Sequence, residues 1–274
     1  MTQRATTSAV ADRLIGAWDG RVTIPPITTE DPGFDVAAGY AVLGEIERRR
    51  IVQGWRPLGR KIGFTNRTIW DRYGVHLPMW AHVWDCTVHD APQAHAALSL
   101  APFVQPRIEP EVVFGLCGPI AAGANALEVM SSVAWIAPGF EIVQSHFPDW
   151  KFGAPDCTAA LGLHGALVVG PRVAVAAADR AILAAALPAF ALELRSNGAL
   201  VDRGVGANVL DSPALALAHL AGVLARQPQF PALAAGELVT TGTVTDAWPV
   251  AAGETWTSDY GTLGLPGMTL SFTR

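Results

Sequence analysis

Charge is scarce in this chain. Only 16% of its 274 residues are charged, the formal net charge is -5, and no block of like charges occurs. The basic footprint of a nucleic-acid binder and the polybasic patch of a membrane-surface protein are both absent, which points to a small ligand. No run of about 18 apolar residues free of charge appears, and the opening MTQRATTSAVADRLIGAWDG lacks the sustained apolar region of a secretory signal. A soluble, cytoplasmic protein is expected. Cysteine is sparse as well: Cys86, Cys117 and Cys157 are odd in number and widely spaced, which suits neither a disulfide framework nor a CxxC zinc site. GVGAN (204–208) lacks the third glycine of a dinucleotide fingerprint, and neither GxxxxGK[ST] nor GxSxG occurs.

What is abundant is apolar surface, 50% of the residues, enough to fill a sizeable core. Residues 8–18 and 34–52 carry apolar side chains at helical intervals and are joined by the proline-rich IPPITTEDPG. Beyond Trp55 the chain breaks into short apolar pieces split by glycine and proline. RKIGFT, RIEPEVVFGL, IAPGFEIVQS, GALVVG and FALELRSNG read as strands, as do the closing ELVTTGTVT, ETWTSDYG and MTLSFTR. Asn197-Gly198 marks a hairpin, and Ser212 is placed to cap a helix over 212–226 with Pro213 at its first position. Helices first and strands afterwards predict an α+β architecture. Residues 1–55 would form a helical layer on a β-rich core of residues 56–274, integrated in one domain.

One strand candidate, PRIEPEVVF (106–114), sets Glu109 and Glu111 two residues apart. In an extended chain they project the same way, about 7 Å apart at their Cα atoms. Arg107 and Val113 share that face, whereas Ile108, Pro110, Val112 and Phe114 take the other, a mixed pattern suited to the lip of a cleft. The plainer alternative is a hydrated strand edge. Glu141, in WIAPGFEIV, is a third acid flanked by apolar residues, and its own plain alternative is pairing with an arginine. Three carboxylates converging on one cleft make a cage for a hard divalent cation such as magnesium or manganese. Lys61 lies in the apolar GRKIGFTN. A lysine withdrawn from water has a lowered pKa and can exchange protons near neutrality, although most strand lysines reach out to solvent. Of the seven histidines, none pair at HxxxH spacing; His146 and His164 follow Glu141 and could border the same cleft.

Taken together, GRKIGFTN (59–66), PRIEPEVVF, FEIVQSHFPDWKF (140–152), GLHGALVVG (162–170) and GELVTTGTVTDAWPVAAGETWTSDYG (236–261) resemble the hydratase and decarboxylase branch of the fumarylacetoacetate hydrolase superfamily. The likeness runs in the same order over nearly the whole chain from about residue 35. It implies a mixed β-sandwich or β-roll core with flanking helices, and Mg2+ or Mn2+ held by Glu109, Glu111 and Glu141. Lys61 would serve as proton donor or acceptor, in a homo-oligomer acting on a small 2-oxo or 2-hydroxydienoic acid. The activity implied is that of a lyase: hydration of a 2-hydroxy-2,4-dienoate of the 2-keto-4-pentenoate type to a 4-hydroxy-2-oxo acid, as in meta-cleavage degradation of aromatic compounds. Three alternatives stay open: decarboxylation of a vinylogous 2-oxo diacid of the 4-oxalocrotonate type, carbon–carbon hydrolysis of an acylpyruvate, and a non-catalytic relative that binds metal and 2-oxo acid. His164, His146 and Asp156 are the candidates for the water-activating base, and Arg107, Thr65 and Trp80 are expected at the substrate, with Trp84 as a further wall. The chain departs from the family pattern at LPMWAHVWD, where Trp80 and Ala81 stand near a customary Asp, and at Ala160-Leu161, in place of an Asp-Asn pair.

Overall fold

A computed structural model describes residues 6–274. The chain opens with helices Thr7–Gly20 and Val36–Val52, whose first turns are closed by Thr6 and Asp35 side chains accepting from Ala9 N and Ala38 N. The proline-rich connection between them is not plain coil: it contains a short helix, Ile27–Glu30. The first strand starts only at Pro57, after these helices. One hydrophobic cluster runs from Val10, Leu43 and Ile46 through Phe114, Phe140 and Leu217 to Phe272, so the helices and the strands share a core.

Among the described residues the strands form two sheets. The larger places Met79–Trp84, Pro57–Gly63, Leu238–Thr240, Arg107–Leu116, Val133–Val143, His164–Val169 and Val88–Asp90 side by side in that order. Its pairings are mixed: Pro57–Gly63 runs parallel to Leu238–Thr240, which runs antiparallel to Arg107–Leu116. The smaller sheet runs Ala199–Val205, Ala191–Ser196, Thr255–Asp259, Met268–Thr273 and His95–Ser99. Curled mixed sheets with flanking helices make this the expected α+β sandwich or roll.

Local signals account for several elements. Asn197 and Gly198 both hold positive φ (49° and 82°), the backbone of a tight hairpin turn between Ala191–Ser196 and Ala199–Val205. Ser212 accepts from Ala214 N and Pro213 opens the helix Pro213–Leu224. The segment Gly206–Leu224 is long and apolar enough to cross a membrane by length and composition, but 67% of its most apolar stretch is buried inside this fold, as in a core helix. The closing ELVTTGTVT pairs only over Leu238–Thr240. It turns away at Gly242, whose φ of 92° and close approach to the Thr65 side chain leave no room for a Cβ.

Candidate metal and substrate site

Register assembles the acid cluster. Arg107–Leu116 and Val133–Val143 pair antiparallel with Glu109 directly opposite Glu141 and Glu111 opposite Gly139. Cross-strand partners share a face, so all three carboxylates meet, with one oxygen from each inside 4.8 Å of the others. Neighbouring strands add to the same face. Lys61 pairs in register with Thr240, and Thr240 Oγ1 donates to Glu111 Oε2. Gly242 N donates to the same oxygen at 2.8 Å, which gives the early turn at Gly242 a purpose. On the other side, His164 Nδ1 faces Glu141 Oε1 at 2.8 Å, and its Nε2 faces Thr87 Oγ1 at 2.8 Å. A carboxylate only accepts, so Nδ1 carries the proton and donates. The Tyr260 hydroxyl donates to the Glu111 carbonyl at 2.7 Å and stiffens the strand from behind.

Lys61 closes the cluster. Its Nζ lies 3.3 Å from Glu141 Oε2 and donates to the Gly162 carbonyl at 3.0 Å. A Cβ at Gly162 would sit 3.1 Å from Lys61 Cδ and 3.3 Å from Met79 Cε, so a small residue is needed there. The expected lowering of the Lys61 pKa is corrected by this setting. Burial does push it down, but Glu141, Glu109 and Glu111 outweigh burial and hold it above the usual lysine range. Burial pushes Glu109 up to about 7 despite Lys61, and pushes Glu111 well above the usual carboxylate range, with Glu141 and Glu109 adding to the rise. Burial also raises Glu141, but Lys61 and the His164 hydrogen bond outweigh it and leave that carboxyl low.

The donor set fits a hard divalent cation. Glu111 and Glu141 are fully buried, and Glu111 Oε1 has no hydrogen-bond partner. A buried carboxylate oxygen left without a donor is costly unless a cation takes it. Burial first, and the neighbouring acids second, raise Glu109 and Glu111, and a divalent cation would offset both.

The cluster forms one end of a cavity of about 200 Å³ that Lys61, Thr65, Arg107 and Glu109 line together. Phe64, Tyr73, Val143, Trp150, Phe152 and Leu163 supply an apolar wall, and Asn66, Thr243, Thr245 and Asp246 add polar groups to the lining. Three of these are non-glycine residues in the left-handed region, Phe64 (φ 55°), Trp150 (φ 59°) and Leu163 (φ 62°). Such backbones cost of order 1 kcal/mol or more each and persist only where the surroundings enforce them. Trp70 Nε1 donates to the Phe64 carbonyl at 2.8 Å, and Trp150 Nε1 to the Gln105 carbonyl at 3.0 Å.

Five sequence expectations do not survive this geometry. His164 is fully buried with both ring nitrogens engaged, at Glu141 and Thr87, and is not among the residues that line the cavity. His146 sits beside Trp18 with Nδ1 on the Val22 carbonyl, among residues of the N-terminal helices rather than at the cavity. Asp156 accepts from Thr28 N, Thr28 Oγ1 and Gly153 N at 3.0, 2.5 and 2.8 Å, which ties the short helix Ile27–Glu30 to the Ala154–Ala159 helix. Trp80 is fully buried against Phe230 and donates to Gln227 at 2.8 Å. Its strand alternates faces, so Met79 and Ala81 look toward Lys61 and Trp80 looks away. Trp84 is fully buried on the Trp80 side. The residues that sequence reasoning missed are Thr240, Gly242, Thr87 and the aromatic wall. One available signal was rarity: the chain has only two lysines, Lys61 and Lys151, so a lysine inside an apolar strand stands out.

Residues 81–266 match the family model described as fumarylacetoacetate (FAA) hydrolase C-terminal. The chain is 31% identical to 2-hydroxyhexa-2,4-dienoate hydratase of Comamonas testosteroni over 93% of each chain. It is 29% identical to 4-oxalocrotonate decarboxylase of Pseudomonas sp. (strain CF600) over 86% of each. In structure it is similar to 4-oxalocrotonate decarboxylase from Pseudomonas putida G7, solved in complex with magnesium and adipate, with a TM-score of 0.88, 25% identity and 99% of each chain covered.

Proposed function

The chain belongs to the fumarylacetoacetate hydrolase family, and from that premise we propose that it is a divalent-metal-dependent hydro-lyase. It adds water to a 2-hydroxy-2,4-dienoate to give a 4-hydroxy-2-oxo acid. The observation that carries this reading is the facing pair Glu109 and Glu141 with Glu111 beside them, its Oε1 unpartnered and an ammonium 3.3 Å from Glu141. Glu109, Glu111 and Glu141 would hold Mg2+ or Mn2+, which when bound supplies Lewis acidity toward the substrate's C1 carboxylate and C2 oxygen.

The chain's own residues do the rest. His164 fixes the orientation of Glu141, and Thr240 with Gly242 N fixes Glu111. Lys61 Nζ, held as an ammonium by the acids, is placed to move the proton as the dienol becomes a conjugated 2-oxo-3-enoate protonated at C5. Water then adds at C4 and C3 takes a proton. Arg107 and Thr65, both on the cavity lining, orient the bound acid. A cytoplasmic homo-oligomer working on small 2-oxo acids belongs to the same reading.

Purified protein with magnesium should consume freshly generated 2-hydroxypenta-2,4-dienoate and form 4-hydroxy-2-oxopentanoate. A second reading is decarboxylation of a vinylogous 2-oxo diacid. No histidine stands among the described residues lining the cavity, and decarboxylation needs an electron sink and a proton donor but no water-activating base. Carbon dioxide released from such a diacid, with no hydroxylated product from the dienol, would replace the first reading by the second.

A further inference from the structure

The cavity is asymmetric in charge, and the asymmetry speaks to the part of the substrate that the acid cluster does not touch. We propose that Phe64, Tyr73, Trp150 and Phe152 form a tail subsite that selects dienoates ending in an uncharged, apolar group over those ending in a second carboxylate. This selection rests on the dienoate reading of the acid cluster and adds the class of tail to it.

Three observations converge. The wall is built rather than incidental. Tyr73 and Phe152 stack with ring centroids 5.6 Å apart and planes 17° from parallel, Phe152 meets Trp150 at 6.2 Å, and Phe64 meets Tyr73 at 5.2 Å. Phe64 and Trp150 are held in left-handed backbone, with their positions fixed by Trp70 and Gln105. A continuous ring surface of this kind rewards an alkyl or aryl tail and carries no cation of its own to pair with a carboxylate.

Second, the cations on the lining are Lys61 and Arg107 among the described residues. Lys61 is committed to Glu141. Arg107 lies on the acid strand two residues from Glu109, whose carboxyl it influences, and its guanidinium sits 4.1 Å from the centre of the Trp150 ring. Third, the carboxylate on the lining outside the acid cluster is Asp246, exposed beside Ala247, and its negative charge disfavours a second carboxylate in the cavity.

The test uses two non-reacting acids of equal chain length, 2-oxohexanoate and 2-oxoadipate, with pyruvate as the tail-free reference. All three are titrated calorimetrically into the full chain loaded with magnesium. The expected result is that 2-oxohexanoate binds at least about tenfold tighter than 2-oxoadipate, the discrimination typical of an apolar pocket. Phe152→Leu and Tyr73→Leu should weaken 2-oxohexanoate severalfold while pyruvate is unchanged. Equal binding, or preference for 2-oxoadipate that Arg107→Gln abolishes, overturns the apolar subsite while leaving the metal site standing. Failure to bind pyruvate overturns the reading of the acid cluster and the subsite with it. The ligand comparison is made on the unaltered protein, so it decides the matter even where a variant fails to fold.

Discussion

The two ends of the cavity are made differently. The acid end is a property of one sheet. Lys61, Thr240, Glu111, Glu141 and His164 come from five consecutive neighbouring strands, and each is placed by pairing register. The apolar end is made of turns and short helices: Phe64 follows one strand, Tyr73 lies in the one-turn helix Trp70–Tyr73, and Trp150 and Phe152 lie in the loop after Val133–Val143. A sheet fixes side chains to a lattice that tolerates little adjustment, which suits metal ligation and proton transfer. Loops can be rebuilt without disturbing that lattice, which suits the choice of substrate tail.

This contrast can be broken most severely at the acid end. Glu111→Gln should lower kcat/KM for the dienol by at least about a thousandfold, the scale of several kcal/mol of metal-derived stabilisation. Thermal melts should show that magnesium no longer raises its Tm. The same variant should melt higher than the parent when both are metal-free, because it removes a buried carboxyl that resists ionisation. Retained turnover would remove metal chelation by this pair.

Lys61→Met comes next. It should lower kcat by about 10²–10⁴-fold, the range of general acid–base catalysis, yet tighten magnesium binding because a competing cation leaves the acids. Weaker magnesium binding would show that Lys61 supports the metal site instead of the reaction. His164→Ala should cost about 10–100-fold in metal affinity, the usual effect of losing a ligand's supporting partner. His164→Asn, which keeps a donor, should recover part of it. A purely structural role would lower Tm without moving the affinity.

The pH dependence is a gentler probe. Glu109 titrates near 7 in the metal-free fold, against an ordinary 4.5, so the folded chain holds protons that the unfolded chain releases. Stability of the metal-free protein should therefore fall as pH rises from 4.5 to about 7. Magnesium affinity should rise over the same window, with protons released on binding. Calorimetry in buffers of different ionisation enthalpy reads both, and a flat affinity would place the raised carboxyl outside the metal site. The smallest effect is expected away from the cavity. Trp80→Phe should leave turnover roughly unchanged and cost about 1–2 kcal/mol of stability, since it strands the half-buried Gln227 acceptor.

The same division explains what is legible in the residues. The alternation in PRIEPEVVF puts Glu109 and Glu111 on one face, and the structure has them there, because a period of two is dictated by the strand itself. LPMWAHVWD obeys the same period, but which of its two faces meets the cavity is set by pairing with Pro57–Gly63; that register turns Trp80 away and brings Met79 to the cavity. Sequence proximity brings His164 near Glu141. Its supporting role follows only from Thr87, 77 residues away, which occupies its second nitrogen. Asp156 looks like a free acid in the sequence, yet a bond to Thr28 spanning 128 residues makes it a structural tie.

By itself the sequence determined the strand bearing the acids, the hairpin at Asn197-Gly198, the capped helix at Ser212 and the family to which the chain belongs. These depend on local backbone preference, side-chain alternation or residue order, which are written in consecutive residues. Only the tertiary structure decided that Lys61 is held as an ammonium, that His164 is bound between Glu141 and Thr87, and that an aromatic wall shares the cavity with the acids. Those outcomes depend on which charges and rings meet across the core, and burial magnifies each meeting far beyond what the isolated residue would show.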